Sequence, residues 1–241
     1  VRDAGLEVGV VNWLRTYPPE KIRGVMISDH ARPEAAQSQR NIGQMFARGS
    51  FGESLAPPLR GAPSAFFPQE WVAKVAEMVS TPAKWNEEIR GDDARSLRWV
   101  TGTNIARDRE IVNIALAIDA ERQPDVLMVL IQGIDRVSHA LWAAVEPAIL
   151  YPPDQRISPS KRVAWGNALR DYYVQTDAWI GELVARFGPD DLVLVLSDHG
   201  FEARLLVQWL TGGHDTADAI DGILYARGGR IAKDQTISGD E

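Results

Sequence analysis

The sequence predicts an α/β fold: a mostly parallel sheet sandwiched by helices, with a cap region inserted into it. Three observations predict it. Uninterrupted apolar runs of strand length, Asp125-Val-Leu-Met-Val-Leu-Ile131 and Asp191-Leu-Val-Leu-Val-Leu196, have the composition of strands covered on both faces. Helical periodicity fills stretches beside them, so that strand and helix alternate along the chain. The residues best suited to hold a cation follow a few positions past those runs, where ligands collect in sheets of this kind.

Taken in order, Val1 to Gly5 reads as the end of a helix with glycine as its cap, followed by a strand at Glu7-Val-Gly-Val-Val-Asn12. That opening helix has nothing before it to pack against, and the C-terminus, Ile237-Ser-Gly-Asp-Glu241, is equally abrupt. The expectation is a piece of a longer protein, its core incomplete at both ends. The turn residues Tyr17-Pro-Pro-Glu20 lead to a second short strand, Gly24-Val-Met-Ile-Ser28. From about residue 30 to 102 proline, glycine and aromatic residues punctuate the chain: Pro57-Pro58, Gly61-Ala-Pro63 and Phe66-Phe67-Pro68. Short helices are expected there at Gln69 to Val79 and at Thr81 to Ile89, the second opened by Thr81 as cap and Pro82 at its first position. The expected organisation is a core of residues 1–29 and 103–241 with a cap at 30–102.

Beyond the cap, the segment Asn104 to Arg122 places Ile111, Ile114, Ala115 and Ile118 on one helical face. A further helix is expected from about Ser158, with Pro159 in its first turn, to Gly188, and another strand at Gly222-Ile-Leu-Tyr-Ala226.

Composition narrows the function. Against 33 acidic residues stand 26 basic ones, a net charge of -7, and the basic residues are scattered, which argues against a nucleic-acid surface. A local metal site could still draw a phosphate ester to an acidic protein. With no cysteine, thiolate ligands, thiol nucleophiles and disulfides are excluded. No apolar run approaches the roughly 20 residues that span a bilayer, so no transmembrane segment is expected.

Three pairings of histidine with aspartate carry the chemistry: Asp135 with His139, Asp198 with His199, and His214 with Asp215. Imidazole and carboxylate together suit a zinc-like or manganese-like ion. Asp135 and His139 are four apart and share a face if a helix starts after Gln132-Gly133; the plain alternative is a capping aspartate with His139 packed on Trp142. Asp198 and His199 can reach one ion only if the backbone leaves the strand, which Gly200 permits; otherwise they form a charged turn. His214 follows two glycines that allow close backbone approach, and Asp215 is a candidate acceptor for its other ring nitrogen; alone, the segment reads as a polar loop. Ser28-Asp29-His30 repeats the letters without a following glycine and reads as a strand-end turn. No Gly-x-Ser-x-Gly elbow, Walker loop or Gly-x-Gly-x-x-Gly occurs, and Ser138 lacks an oxyanion-loop signature.

Four elements in order, Gly9-Val-Val-Asn-Trp13 with Tyr17-Pro18-Pro19, Gly133-Ile-Asp135 with His139 and Trp142, Val195-Leu-Ser-Asp-His-Gly200, and Gly213-His-Asp215 leading to Asp221-Gly-Ile-Leu224, resemble a known group. It is the type I phosphodiesterase/nucleotide pyrophosphatase branch of the alkaline phosphatase superfamily. The likeness runs from near residue 5 to about 232 and is least over 30 to 102. It implies an alkaline phosphatase-like core and two divalent ions, usually zinc, with manganese as the alternative, acting on a small phosphate-ester substrate. Asp135, His139 and His214 would hold one ion, and Asp198 and His199 would help hold the other. The family's second site also needs an aspartate from its first strand and a threonine or serine nucleophile, both upstream of the segment that matches Val1 onward. The implied activity is hydrolysis of phosphodiester or nucleotide pyrophosphate bonds, with this piece alone inactive or nearly so. A phosphomutase or sulfatase of the same superfamily, and a metal-binding relative without turnover, stay open.

Overall fold

The computed structural model describes residues 4–31, 63–78, 98–207, 210–216, 219, 221–228 and 231. The expected helix at Thr81 to Ile89 and most of the cap fall outside the described residues. The chain divides into two compact units, residues 1–90 with 102–133 and residues 91–101 with 134–241. The division falls within the stretch that the sequence reading takes as continuous core, and the described cap residues 63–78 belong to the first unit.

In the first unit, strands β1 (Val8–Val11), β2 (Gly24–Ile27), β3 (Phe66–Phe67) and β4 (Val126–Val129) form a sheet in the order β3-β2-β1-β4. β1 runs parallel to β2, Val8 opposite Gly24, and parallel to β4, Val8 opposite Val126, while β3 is antiparallel to β2. The α/β class and the mostly parallel sheet expected from the sequence are both present. Every residue of β1 and β2 is buried. β4 is only half-buried, because among the described strands it stands at the sheet's edge.

Helix α1 (Trp71–Met78) and helix α2 (Thr103–Arg122) belong to the same unit. The face of α2 read from periodicity, Ile111, Ile114, Ala115 and Ile118, is buried together with Val112. Gly9 lets α2 press on β1: a Cβ there would lie 2.9 Å from Ile118 Cγ2 and 2.8 Å from Leu127 Cδ1. Gly24 is required twice over, by its φ of +131° and because a Cβ would come within 2.0 Å of the Val8 carbonyl oxygen. Arg122 at the end of α2 pairs with Glu7 at 2.7 Å, and Lys74 of α1 pairs with Glu121. Asp108 of α2 is fully buried, and its carboxylate accepts the Gly133 N–H at 3.1 Å.

In the second unit, helix α3 (Gly133–Leu141, whose first residue belongs to the first unit) is followed by short 3-10 turns and the long helix α4 (Pro159–Val184). α4 opens where the sequence places it, with the Ser158 hydroxyl accepting the Lys161 N–H and Pro159 at the first position. Its buried residues, Trp165, Leu169, Tyr172, Thr176 and Trp179, recur every three or four positions and form one stripe. Arg227 donates to the carbonyls of Val184 and Phe187 at the helix's C-terminal end, where positive charge complements the dipole.

Strands β5 (Val193–Leu196) and β8 (Leu224–Arg227) pair antiparallel, as do β6 (Glu202–Val207) and β7 (Leu210–Gly213). The sequence reading expects β5 to be buried on both faces of a parallel sheet. Instead its residues alternate, with Leu194 and Leu196 exposed, and its one partner among the described strands is β8. A four-residue apolar run carries no record of how many faces will be covered, which is why the two cases read alike in sequence.

Candidate metal centre

Helix α3 begins at Gly133, so Asp135 and His139 stand one turn apart on one face. The Asp135 Oδ1 to His139 Nε2 distance is 3.4 Å. The imidazole is turned that way by its other nitrogen: Nδ1 lies 2.9 Å from the Gly212 carbonyl oxygen. Since a carbonyl only accepts, Nδ1 is the donor of this bond, and in the neutral ring the lone pair lies on Nε2.

That contact depends on how closely β7 approaches α3. A Cβ at Gly212 would lie 2.6 Å from Trp142 Cβ and 3.0 Å from the Ser138 carbonyl oxygen, so only glycine fits without a shift. The buried Thr211 hydroxyl accepts the Ala143 N–H at 2.9 Å and donates to the Ala140 carbonyl at 3.2 Å. Tyr151 donates its hydroxyl to the Thr211 carbonyl at 2.8 Å, and burial, followed by the nearby Glu146 carboxylate, pushes its phenol well above the ordinary range. These bonds lock the end of β7 to the end of α3. His214 follows at once and brings its Nε2 to 3.6 Å from Asp135 Oδ1.

The third imidazole arrives from the turn after β5. Ser197 exchanges hydrogen bonds with Ile223, and the Gly200 N–H donates to the Ala219 carbonyl at 2.9 Å. Gly222 lets the two segments close, because a Cβ there would sit 2.0 Å from the Ser197 carbonyl oxygen. Within this pinned turn His199 directs Nδ1 to the Gly200 carbonyl at 2.9 Å and Nε2 to within 3.9 Å of Asp135 Oδ1. Its ring stacks on His214, with centroids 3.6 Å apart.

Three Nε2 atoms therefore surround one carboxylate oxygen. Asp135 Oδ1 is buried and has no hydrogen-bond partner. The three separations are 3.4, 3.6 and 3.9 Å, and none of them makes a hydrogen bond. A carboxylate in its ionised form only accepts, and in neutral rings of His139 and His199 the nitrogens turned towards it would accept too. Acceptors held just outside mutual contact fit a cation among them. The ligand atoms of Asp135, His139 and His214 all lie within 4.8 Å of one another. Burial, then the neighbouring His199, holds the His214 pKa below the ordinary imidazole value, although the Asp135 carboxylate opposes this. The neutral, ligating form is favoured.

The remaining sequence candidates are placed as follows. Asp198 points largely into solvent, its Oδ1 3.6 Å from His199 Nε2. Asp215 was expected to accept from the second ring nitrogen of His214; this is corrected. Its Oδ1 accepts the backbone N–H of His214 at 3.3 Å, and its Oδ2 pairs with Arg204 at 2.7 Å. A carboxylate one residue along reaches the main chain more readily than the ring. His30 stacks on Tyr17 in the first unit, ring centroids 4.5 Å apart.

A family model of type I phosphodiesterase / nucleotide pyrophosphatase matches residues 1–205. The chain belongs to that family. The match contains Asp135, His139, Asp198 and His199 and stops short of His214, which joins the group by geometry. No curated protein and no solved structure matches the chain. Membership in a phosphodiesterase and pyrophosphatase family supports phosphoester hydrolysis, and a potential metal-binding group stands in this member. No described helix is long and apolar enough to cross a membrane.

Sequence reading missed Phe201, whose ring lies 5.0, 5.7 and 5.5 Å from those of His139, His199 and His214. Its sequence signal is an aromatic placed two residues beyond His199 in a turn otherwise short and polar.

Proposed function

We propose that this chain supplies most of a two-metal centre that hydrolyses phosphodiester or nucleotide pyrophosphate bonds. Asp135, His139 and His214 hold one divalent ion, and His199 with Asp198 contributes to a second; zinc is the first choice and manganese the alternative. The observation that carries the reading is the buried, partnerless Asp135 Oδ1 facing three imidazole Nε2 atoms. Bound ions of this kind polarise phosphoryl oxygens and lower the pKa of an attacking hydroxyl or water.

The chain's own residues prepare that chemistry. The Gly212 and Gly200 carbonyls face Nδ1 of His139 and His199, so in each neutral ring Nε2 is the nitrogen left to coordinate. Neutral imidazoles beside few carboxylates leave positive charge for a phosphate, despite the protein's net charge of -7.

The test is zinc content and turnover of a chromogenic phosphodiester and a phosphomonoester by the protein from its entire reading frame. Stoichiometric metal and chelator-sensitive cleavage of the diester are expected. Turnover of a sulfate ester or isomerisation of a phosphosugar instead would identify a sulfatase or mutase, and metal without turnover a binding relative. Diester cleavage undiminished by chelator would overturn the reading.

A further inference from the structure

We propose that Phe201 is a positioning residue of the metal centre, holding the three imidazoles, His214 above all, at the angles from which they ligate; this rests on the metal reading above. Its ring meets all three in edge contacts, with interplanar angles of 72° to His139, 61° to His199 and 75° to His214. Aromatic pairs favour such geometry. Behind it stands Trp142, ring centroids 5.1 Å apart, itself fixed by the Trp142 Nε1 to Glu146 hydrogen bond of 3.1 Å and by close contact with Gly212.

The three histidines do not need this support equally. His139 and His199 each have Nδ1 tethered to a carbonyl, which fixes the ring plane and leaves Nε2 aimed. His214 has no such tether among the described residues. Its ring is held by ring contacts alone: stacking on His199, a tilted contact with His139 at 5.0 Å between centroids, and the edge of Phe201. A phenyl ring has no lone pair to compete for the ion. Removing it therefore frees His214 first.

The experiment measures Zn²⁺ affinity by competition with a chromophoric chelator, and the visible absorption of the Co²⁺ form, in the full protein and in Phe201→Leu, Phe201→Tyr and Phe201→Leu/His214→Ala, each checked by far-ultraviolet circular dichroism. Phe201→Leu is expected to bind Zn²⁺ about tenfold more weakly, as when an outer support of a ligand is lost, with altered Co²⁺ bands. Phe201→Tyr should bind as the unmodified protein does. In the His214→Ala background the Phe201→Leu change should cost little more, which a general loss of packing would not reproduce. Equal Zn²⁺ affinity in Phe201→Leu and the unmodified protein would overturn the proposal, as would undiminished effects after His214 is gone. If the unmodified protein takes up no Zn²⁺ or Co²⁺, the metal reading itself fails, a result distinct from either.

Discussion

At the scale of single residues, the centre depends on which nitrogen of each imidazole carries the proton. His199→Ala removes an Nε2 aimed at Asp135 and is expected to weaken Zn²⁺ binding by at least about tenfold, whereas His30→Ala, whose ring among the described residues stacks on Tyr17, leaves it unchanged. Equal metal loss from both, measured by elemental analysis after dialysis, would count against the assignment. Acidification should release the metal as well, because only neutral imidazole coordinates. For the metal-free chain the sign follows from the lowered pKa of His214. Between its folded pKa and the unfolded value of ~6.5 the unfolded chain binds more protons, so this histidine's contribution to stability is full above that window and declines as pH falls through it. Urea midpoints of the metal-free protein across mildly acidic pH, compared with those of His214→Gln, check this. Spacing left Asp135 and His139 open between a shared ion and a capping aspartate, and the resemblance to the family is what gathered the five candidates into one list. The partner of Asp215 was not legible in sequence, because main chain and ring compete for one carboxylate and only geometry decides between them.

At the scale of elements, the decisive packing is that of β7 on α3. Gly212→Ala forces a Cβ into Trp142 and the Ser138 carbonyl, so β7 must retreat and take both the Gly212 carbonyl and His214 with it. A loss of about 1–3 kcal/mol in stability together with weaker Zn²⁺ binding is expected; a loss of stability alone would show that the two are uncoupled. Thr211→Val keeps the shape but leaves the buried Ala143 N–H without its partner, at a cost of about 1–3 kcal/mol by urea denaturation. The buried face of α2 could be read from periodicity, because a residue pattern states which side a helix hides, whereas the full burial of β1 and β2 could not be told from that of β4 and β5. The sequence does announce close approach at Gly212-Gly213, but not what approaches. Phe201 was hidden for the opposite reason: one aromatic near a site has the same appearance as core.

At the scale of the whole molecule, the two units contrast in how their strands are covered. β1 and β2 are enclosed, whereas β5 and β8 present Leu194, Leu196, Leu224 and Tyr225 outward, each more than half exposed. Leu196 lies opposite Leu224 in the pairing, so their apolar surface is continuous across the two strands. Contiguous surface of that kind drives association in water. Sedimentation velocity of these 241 residues over a range of loadings should show species growing with concentration, and Leu194→Lys/Leu196→Lys should return a single slow boundary. A boundary independent of loading in the unsubstituted chain would contradict this. The consequence extends to heat: leucines already facing solvent before melting give each loosened copy something greasy to stick to. Heating is then a one-way journey, with precipitation outrunning recovery, and an apparent melting point would track the pace of the ramp.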